Sequence, residues 1–262
     1  MKRILLVVLP VVCLFVLPFA GCDQAEWSTT IVTAQVVKTL GIETNTASVL
    51  IGKATVANLL TYDWMETPDP GDSNFVNYIF PARIEPIGGA TCTVNSTSVG
   101  QTLPGIYFRA ALNLQYLQRC DLNITLPSGG TVTAHGFLPD SFSILAPRQL
   151  DTVGEGATLT ATWTKSDSAE TYLVGISPAD TASPARGWTD GRTDTSCVIP
   201  ATAFEDSLGN WVPGIYTFGV TAINGGWNKS TLDLFLSGGN LAGAKGTFGC
   251  AVYPLPIVVI AR

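Results

Sequence analysis

The chain is poor in charge, and above all in positive charge. Asp, Glu, Lys and Arg together make up 13% of its 262 residues, against ~25% in typical soluble domains. Acidic residues outnumber basic ones by 20 to 14, which gives a formal net charge of −6. Nucleic acids and anionic lipid surfaces bind clusters of Lys and Arg. The composition therefore argues against a nucleic-acid partner.

Histidine is almost absent, and so are the common catalytic motifs. His135 is the single histidine, and no G-x-S-x-G, P-loop or H-E-x-x-H pattern occurs. A general base also needs a nucleophile and an orienting acid within hydrogen-bond distance. We interpret His135 as a half-exposed strand residue and predict no enzyme activity, catalytic residue or cofactor. A hydrolase with an unrecognised carboxylate site remains the alternative.

No apolar run reaches the ~20 residues of a transmembrane helix. The longest one, residues 4–16, contains Pro10, and a second proline, Pro18, follows it. It comes after Lys2 and Arg3 and before the small residues Ala20 and Gly21. A positive start, an apolar centre and a small-residue end are typical of a signal peptide. We therefore predict that residues 1–21 are a signal peptide that is removed on export.

The end of this segment, Phe19-Ala20-Gly21-Cys22, resembles the lipobox of bacterial lipoproteins. The resemblance implies a thioether-linked diacylglycerol on Cys22, cleavage before it, and a tether over residues 22–29. Two or three acyl chains, such as palmitate, are enough for stable anchoring. We expect a cell-envelope protein on the outer rather than the inner membrane, although Asp23 resembles the inner-membrane retention signal of enteric lipoproteins. An ordinary secretory signal with an incidental cysteine is the alternative.

The rest of the chain has the composition and periodicity of β-structure. Gly and Pro number 26 and 16, and apolar residues alternate as in half-buried strands. The alternating sets are Ala90, Cys92 and Val94; Cys120, Leu122, Ile124 and Leu126; Leu159, Ala161 and Trp163; Tyr172, Val174 and Ile176. Proline steps at Pro139 and Pro147 favour an extended junction. We predict an all-β protein with two β-sandwich domains in tandem, at residues 30–140 and 147–262.

One stretch of the second half resembles a known family. Residues 212–224, VPGIYTFGVTAIN, are similar to the tyrosine-corner strand of fibronectin type III modules. The resemblance implies a Tyr216 hydroxyl bonded to backbone near residues 208–211, and Trp163 buried between two sheets. Residues 103–107, LPGIY, repeat the motif. Residues 120–147 resemble the end of small immunoglobulin-like or transthyretin-like modules. This second resemblance implies an immunoglobulin-like fold for the first domain.

Four cysteines remain once Cys13 has left with the signal peptide and Cys22 is lipidated. They are Cys92, Cys120, Cys197 and Cys250, and they allow three pairings. An exported chain meets an oxidising compartment, so the simplest prediction is one disulfide in each half, 92–120 and 197–250. The absence of a C-x-x-C spacing and the single histidine argue against zinc.

Two further groups are candidate ligand sites. A proline-rich loop carries oxygen ligands that could hold calcium, namely Asp63, Glu66, Asp69, Asp72 and Asn74. A solvated turn is the alternative, because the loop lacks EF-hand spacing. Trp188 and Trp227 flank turn-rich segments and could stack on a ligand, or pack as loop residues.

These observations favour a non-catalytic role. We expect a membrane-anchored envelope lipoprotein whose sandwiches bind a protein or glycan partner. The hydrolase mentioned above and a purely structural spacer are the alternatives, because function has to be argued from a site and no motif defines one.

Overall fold

The computed structural model describes residues 28–42, 44–55, 85–180, 182–226 and 239–262. In chain order the strands are β1 Ser28–Thr39, β2 Asn45–Thr55, β3 Glu85–Pro86, β4 Thr91–Val94, β5 Thr97–Leu103, β6 Ile106–Leu112, β7 Arg119–Thr125, β8 Thr131–Phe137, β9 Ile144–Ala146, β10 Asp151–Val153, β11 Leu159–Trp163, β12 Thr171–Pro178, β13 Trp188–Arg192, β14 Ser196–Ile199, β15 Gly214–Gly225, β16 Lys245–Tyr253 and β17 Ile257–Ala261. Residues Ala201–Phe204 form a 3-10 turn. The described residues contain no helix long and apolar enough to cross a membrane. The predicted all-β class is confirmed.

Most strands belong to one hydrogen-bonded sheet of order β10-β17-β15-β16-β1-β2-β6-β5-β4-β7-β8, with β3 paired to β2 and β12 paired to both β13 and β15. This path bends at β5. Its first residues pair with β4, from Thr97 to Val99, and its last ones pair with β6. A strand that changes partners in this way connects two layers of a sandwich at a corner.

The long strand β15 organises the second half of the chain. Its first part pairs with β17, its last part pairs with β16, and β12 runs along its other edge. Tyr216, Phe218, Val220 and Ala222 alternate on one face and are all buried. The strand implied by the resemblance at residues 212–224 is therefore present, from Gly214 onwards.

Strands β1 and β16 pair in parallel from Ile31↔Lys245 to Thr39↔Tyr253. Gly246 permits this pairing, because it has φ +131° and a Cβ there would overlap the carbonyl oxygen of Val32. The pairing joins a strand of the first predicted domain to one of the second. Residues 140–147 therefore do not separate two independent sheets, and the division into two domains stays a prediction.

By their contacts, residues 30–52 and 86–262 form one compact unit. The described residues 28–29, 53–55 and 85 lie outside this unit. The candidate groups discussed below, where described, lie within it.

A second sheet, of order β14-β11-β9, covers the β12–β15 region of the large sheet. Trp163 on β11 lies against Tyr172 on β12, with ring centroids 5.5 Å apart. Phe204 lies against Tyr216, at 5.0 Å. Trp163 is 2% exposed, as predicted, and this aromatic layer forms a sandwich core.

A second layer contact lies between β8 and β16. Gly136 of β8 has no side chain, and a Cβ there would be 3.3 Å from the Cys250 sulfur and 3.7 Å from the Phe248 ring. Gly136 therefore lets the two strands approach closely. Cys120, Cys250 and Phe248 are completely buried at this contact.

Candidate functional site

The outer face of the β7–β8 hairpin carries a row of polar side chains. Alternation buries Cys120, Leu122 and Ile124, so the residues between them face outwards. The antiparallel register sets Arg119 opposite Phe137, Asp121 opposite His135, and Asn123 opposite Thr133. Opposite side chains of such pairs have Cβ atoms ~4.5–5.5 Å apart, so a ligand lying across the hairpin can contact both rows.

The turn between β4 and β5 closes one end of this face. Asn95 and Ser96 form its two-residue loop, with φ values of 46° and 61°, as a type I′ hairpin requires. The Asn95 side chain accepts the Asp121 N–H at 2.7 Å and donates to the Arg119 carbonyl at 2.8 Å. The turn is thereby held against the edge of β7.

The segment 240–242 forms the opposite rim. Thr133 and Ala242 exchange two backbone hydrogen bonds, at 3.0 and 2.8 Å. The Asn240 amide pairs with the Phe248 backbone in the same way, at 2.7 and 2.8 Å. Both rims are therefore fixed by hydrogen bonds, and the edge strand β8 is partly covered, as exposed edges usually are.

Between these rims lies a groove of about 570 Å³, which we call the β7–β8 groove. Its lining residues are Asn95, Ser96, Arg119, Asp121, Leu122, Asn123, Thr133, Ala134, His135, Asn240 and Ala242. The volume is within the ~300–1,000 Å³ of ligand sites. Asp121 accepts a hydrogen bond from Arg119 Nε at 2.8 Å. Because both side chains are about half exposed, the pair contributes little to stability and both remain accessible to a ligand.

The structure corrects the predicted disulfide between Cys92 and Cys120. Strand β4 pairs with β7, but Cys92 lies opposite Ile124, four residues along β7 from Cys120. At ~3.3 Å per residue this offset is roughly 13 Å, whereas a disulfide needs Cα atoms within ~7 Å. All four described cysteines are buried thiols.

The other predicted pair, Cys197 and Cys250, is not bonded either. Cys197 is on β14 of the three-stranded sheet, and Cys250 is on β16 of the large sheet. Cys250 instead lies beside Cys120, because its sulfur would be 3.3 Å from a Cβ on Gly136, the residue opposite Cys120 on β8. The neighbouring Cys250 thiol lowers the pKa of Cys120, while the Cys120 thiol and burial raise the pKa of Cys250. Burial raises the pKa of Cys92 to about 12.

The aromatic candidates divide between core and surface. Trp188 is half-buried and packs against the core, opposite Ile176 on β12. The Tyr216 hydroxyl donates to the Val212 carbonyl at 2.8 Å, one residue beyond the predicted 208–211. Phe137 on β8 is 40% exposed and lies at the Arg119 end of the groove.

Several predicted site residues lie outside the described residues. They are the lipidation candidate Cys22, the calcium candidates Asp63, Glu66, Asp69, Asp72 and Asn74, and Trp227. Within the described ranges, no three His, Cys, Asp or Glu side chains are grouped as a metal site would need.

The groove was not foreseen from the sequence, although one signal for it was present. The alternation that buries Cys120 and Leu122 also places Asp121 and Asn123 on the outer face. The register of the hairpin and the bridge to Ala242 complete the groove, and both depend on contacts that local patterns do not encode.

Comparisons with known proteins include weak structural likenesses. No family model matches the chain, and no curated protein matches it. Fibronectin(III)-like modules of Clostridium thermocellum CbhA align over 88% of this chain and 92% of their own length, at 10% identity and a TM-score of 0.24. DIP-gamma IG1+IG2 aligns over 90% and 97%, at 9% identity and a TM-score of 0.22. At such TM-scores neither likeness says anything further about this chain.

Proposed function

We propose that this protein is an exported, lipid-anchored binding module without catalytic activity, and that it binds a glycan in the β7–β8 groove. The observation that carries the proposal is the groove itself, whose lining includes the exposed polar side chains of Arg119, Asn123 and His135. Anchoring rests on the signal-like segment before Cys22. The tyrosine corner supports a fibronectin type III-like second half.

The groove chemistry fits sugar hydroxyls, which both donate and accept hydrogen bonds. Asp121 offers acceptor oxygens, Arg119 offers donors, and the Asn123 amide offers both. The exposed ring of Phe137 lies at one end of the groove and supplies an apolar surface for a sugar face. A mostly apolar partner surface would find few matching side chains here.

A carboxylate-based hydrolase fits the groove less well. Glycoside hydrolysis of the usual kind uses two carboxylates across the scissile bond. Among the described residues that line the groove, Asp121 is the only carboxylate, and Arg119 binds it at 2.8 Å. A binding role needs neither a second acid nor a nucleophile.

The proposal is tested by titrating the full chain with a panel of oligosaccharides and with soluble peptidoglycan fragments. We expect Asn123→Ala and His135→Ala each to weaken the binding of the retained glycan by about 2- to 10-fold, the value of one lost hydrogen bond. Thr160→Ala is the matched control, because Thr160 is an exposed strand threonine on β11. Its affinity should equal that of the unchanged chain.

The absence of glycan binding, or equal affinity in all variants, would contradict the glycan proposal. A photo-crosslinker placed at position 135 then tests the protein alternative inside cells. A covalent adduct of one defined mass, lost when the crosslinker is moved to position 160, would assign the groove to a protein partner.

A further inference from the structure

Two cysteines far apart in the sequence meet inside the compact unit formed by residues 30–52 and 86–262. Cys120 is on β7 and Cys250 is on β16, and both are completely buried. The two strands are not neighbours in the sheet, so this is a contact between layers. The Cys120 thiol donates to the Gln118 carbonyl at 3.7 Å, and the Cys250 thiol is its neighbour across the layers.

The backbone explains how the sulfurs come together. Cys120 lies directly opposite Gly136 in the β7–β8 ladder. A Cβ on Gly136 would be 3.3 Å from the Cys250 sulfur, so that sulfur occupies the space of the missing side chain. Opposite side chains in an antiparallel ladder have Cβ atoms ~4.5–5.5 Å apart. The Cys250 sulfur is therefore adjacent to the Cys120 side chain.

The other two cysteines, Cys92 and Cys197, are not paired in this way with Cys120 or Cys250. Cys92 is opposite Ile124, roughly 13 Å along β7 from Cys120. Cys197 is opposite Ala161 in the three-stranded sheet. Among the four described cysteines, Cys120 and Cys250 are the pair whose side chains lie next to each other.

We propose that Cys120 and Cys250 are the partners of a disulfide that joins the β7–β8 hairpin to β16. Each thiol loses one proton and one S–S bond forms; the two electrons pass to a donor disulfide, which is reduced to two thiols. The donor is a protein or small-molecule disulfide of an oxidising compartment. The inference rests on the proposed export for that compartment, and goes beyond the binding role.

Burial fixes when the bond forms. Both sulfurs are inaccessible in the folded chain, and exchange requires direct attack by a thiolate on a disulfide sulfur. Oxidation therefore accompanies folding, before β8 closes over β16. Once formed, the bond holds the wall of the β7–β8 groove against the centre of the large sheet.

The test begins with the full chain, unfolded, reduced and refolded in detergent with oxidised and reduced glutathione. Free thiols are then blocked with iodoacetamide, and trypsin releases Cys120 in residues 120–148 and Cys250 in residues 246–262. We expect these two peptides to be linked and two hydrogens lighter than their sum, and Cys92 and Cys197 to be alkylated. Alkylation of both Cys120 and Cys250 would overturn the pairing.

The same mapping on chain recovered from the cell membrane fraction separates this proposal from the proposed export. If the disulfide forms on refolding but the protein from cells has free thiols, the proposed oxidising compartment is wrong and the proposed pairing stands. Bonds in both samples support both proposals. If Cys120 and Cys250 are free thiols in both the refolded and the cellular protein, the proposed disulfide is wrong, whatever the location of the chain.

Thermal unfolding gives a second readout with a matched control. Cys120→Ala and Cys92→Ala each remove one buried strand cysteine, but only the first removes the bond. Without reductant, Cys120→Ala should melt roughly 5–15 °C below Cys92→Ala, from the loss of a long closed loop. After both variants have been unfolded, reduced and refolded with reductant the difference should disappear, and its persistence would contradict the proposal.

Discussion

The side-chain amide of Asn224 holds the end of β8 against β15: its Oδ1 accepts the Phe137 N–H at 2.7 Å. On its other side, Asn224 Nδ2 donates to the Ser168 carbonyl at 2.8 Å and to Glu170 Oε1 at 3.1 Å. Asn224 is 8% exposed and lies opposite Cys250 on β16. One amide therefore connects three segments beside the proposed disulfide.

Replacing this amide should destabilise the fold. Asn224→Ala leaves the Phe137 N–H and the Ser168 carbonyl without these partners, and we expect a loss of about 1–3 kcal/mol in the free energy of unfolding. Chemical denaturation measures it, with an unchanged m value. Asn123→Ala is the control, because Asn123 is an exposed residue of β7 and should change stability by less than about 0.5 kcal/mol. An equal loss of unfolding free energy in Asn224→Ala and Asn123→Ala would contradict a stabilising role of the Asn224 amide.

Local periodicity was sufficient to predict the strands and the direction of their side chains. Cys120, Leu122 and Ile124 are buried as their alternation requires, and so is Trp163. The motif at residues 212–216 also gave the tyrosine corner, because that bond is closed within four residues.

Contacts between distant strands could not be obtained in the same way. The sequence correctly placed Cys120 inside, but its alternation is equally compatible with several partners. The parallel pairing of β1 with β16 and the close approach at Gly136 decide that Cys250 is the neighbour. For the same reason the β7–β8 groove, which needs Ala242 at its rim, had no local signature.

Trp163 is the largest side chain of the aromatic core layer. It contacts Tyr172 at 5.5 Å between ring centroids, and its indole N–H has no acceptor among the described residues. Trp163→Ala should lower the free energy of unfolding by ~3–5 kcal/mol, because it leaves a cavity in the core. Trp163→Phe should cost less, because it keeps a ring and removes the unpaired N–H. Denaturation midpoints that ranked the two variants in the opposite order would contradict this packing.

The two Pro-Gly-Ile-Tyr motifs end in tyrosines with different hydrogen bonds. The Tyr107 hydroxyl accepts the Ala90 N–H at 2.8 Å and donates to the Ile87 carbonyl at 3.2 Å. Within the described part of the chain, the Tyr216 hydroxyl makes a single hydrogen bond, to the Val212 carbonyl. Tyr107→Phe should therefore cost about 1–3 kcal/mol, because it orphans a backbone donor, and Tyr216→Phe only about 0.5–1.5 kcal/mol. Equal effects in chemical denaturation would show that the hydroxyls are equivalent.

The proposed anchor predicts a change in location and mass. Cys22→Ser removes the sulfur that the lipidating enzyme needs, so the protein should appear in the soluble exported fraction or stay uncleaved. Cys13→Ser is the matched control, because Cys13 lies within the proposed signal peptide, and it should leave the anchor intact. Membrane fractionation and intact mass measure both variants. Retention of Cys22→Ser on the membrane at an unchanged mass would contradict the lipoprotein proposal.

Cys92 should be inert while the chain is folded. Burial raises the pKa of its thiol to about 12, so at pH 8 only ~1 molecule in 10⁴ carries the reactive thiolate. Iodoacetamide at pH 8 should therefore label Cys92 only after unfolding in guanidinium. Thr93→Cys is the control, because position 93 is on the other face of β4 and partly exposed, and should be labelled in the folded chain.

The same shift sets the sign of a pH effect. A thiol with a folded pKa above its unfolded value keeps more protons in the native state, so its stabilisation is complete below the unfolded pKa of ~8.5 and is lost as pH rises towards 12. The free energy of unfolding should fall over this interval. Cys92→Ala should reduce the slope of the fall, measured by denaturation at pH 8, 9 and 10. An identical slope in Cys92→Ala would mean that other groups, and not this buried thiol, cause the loss.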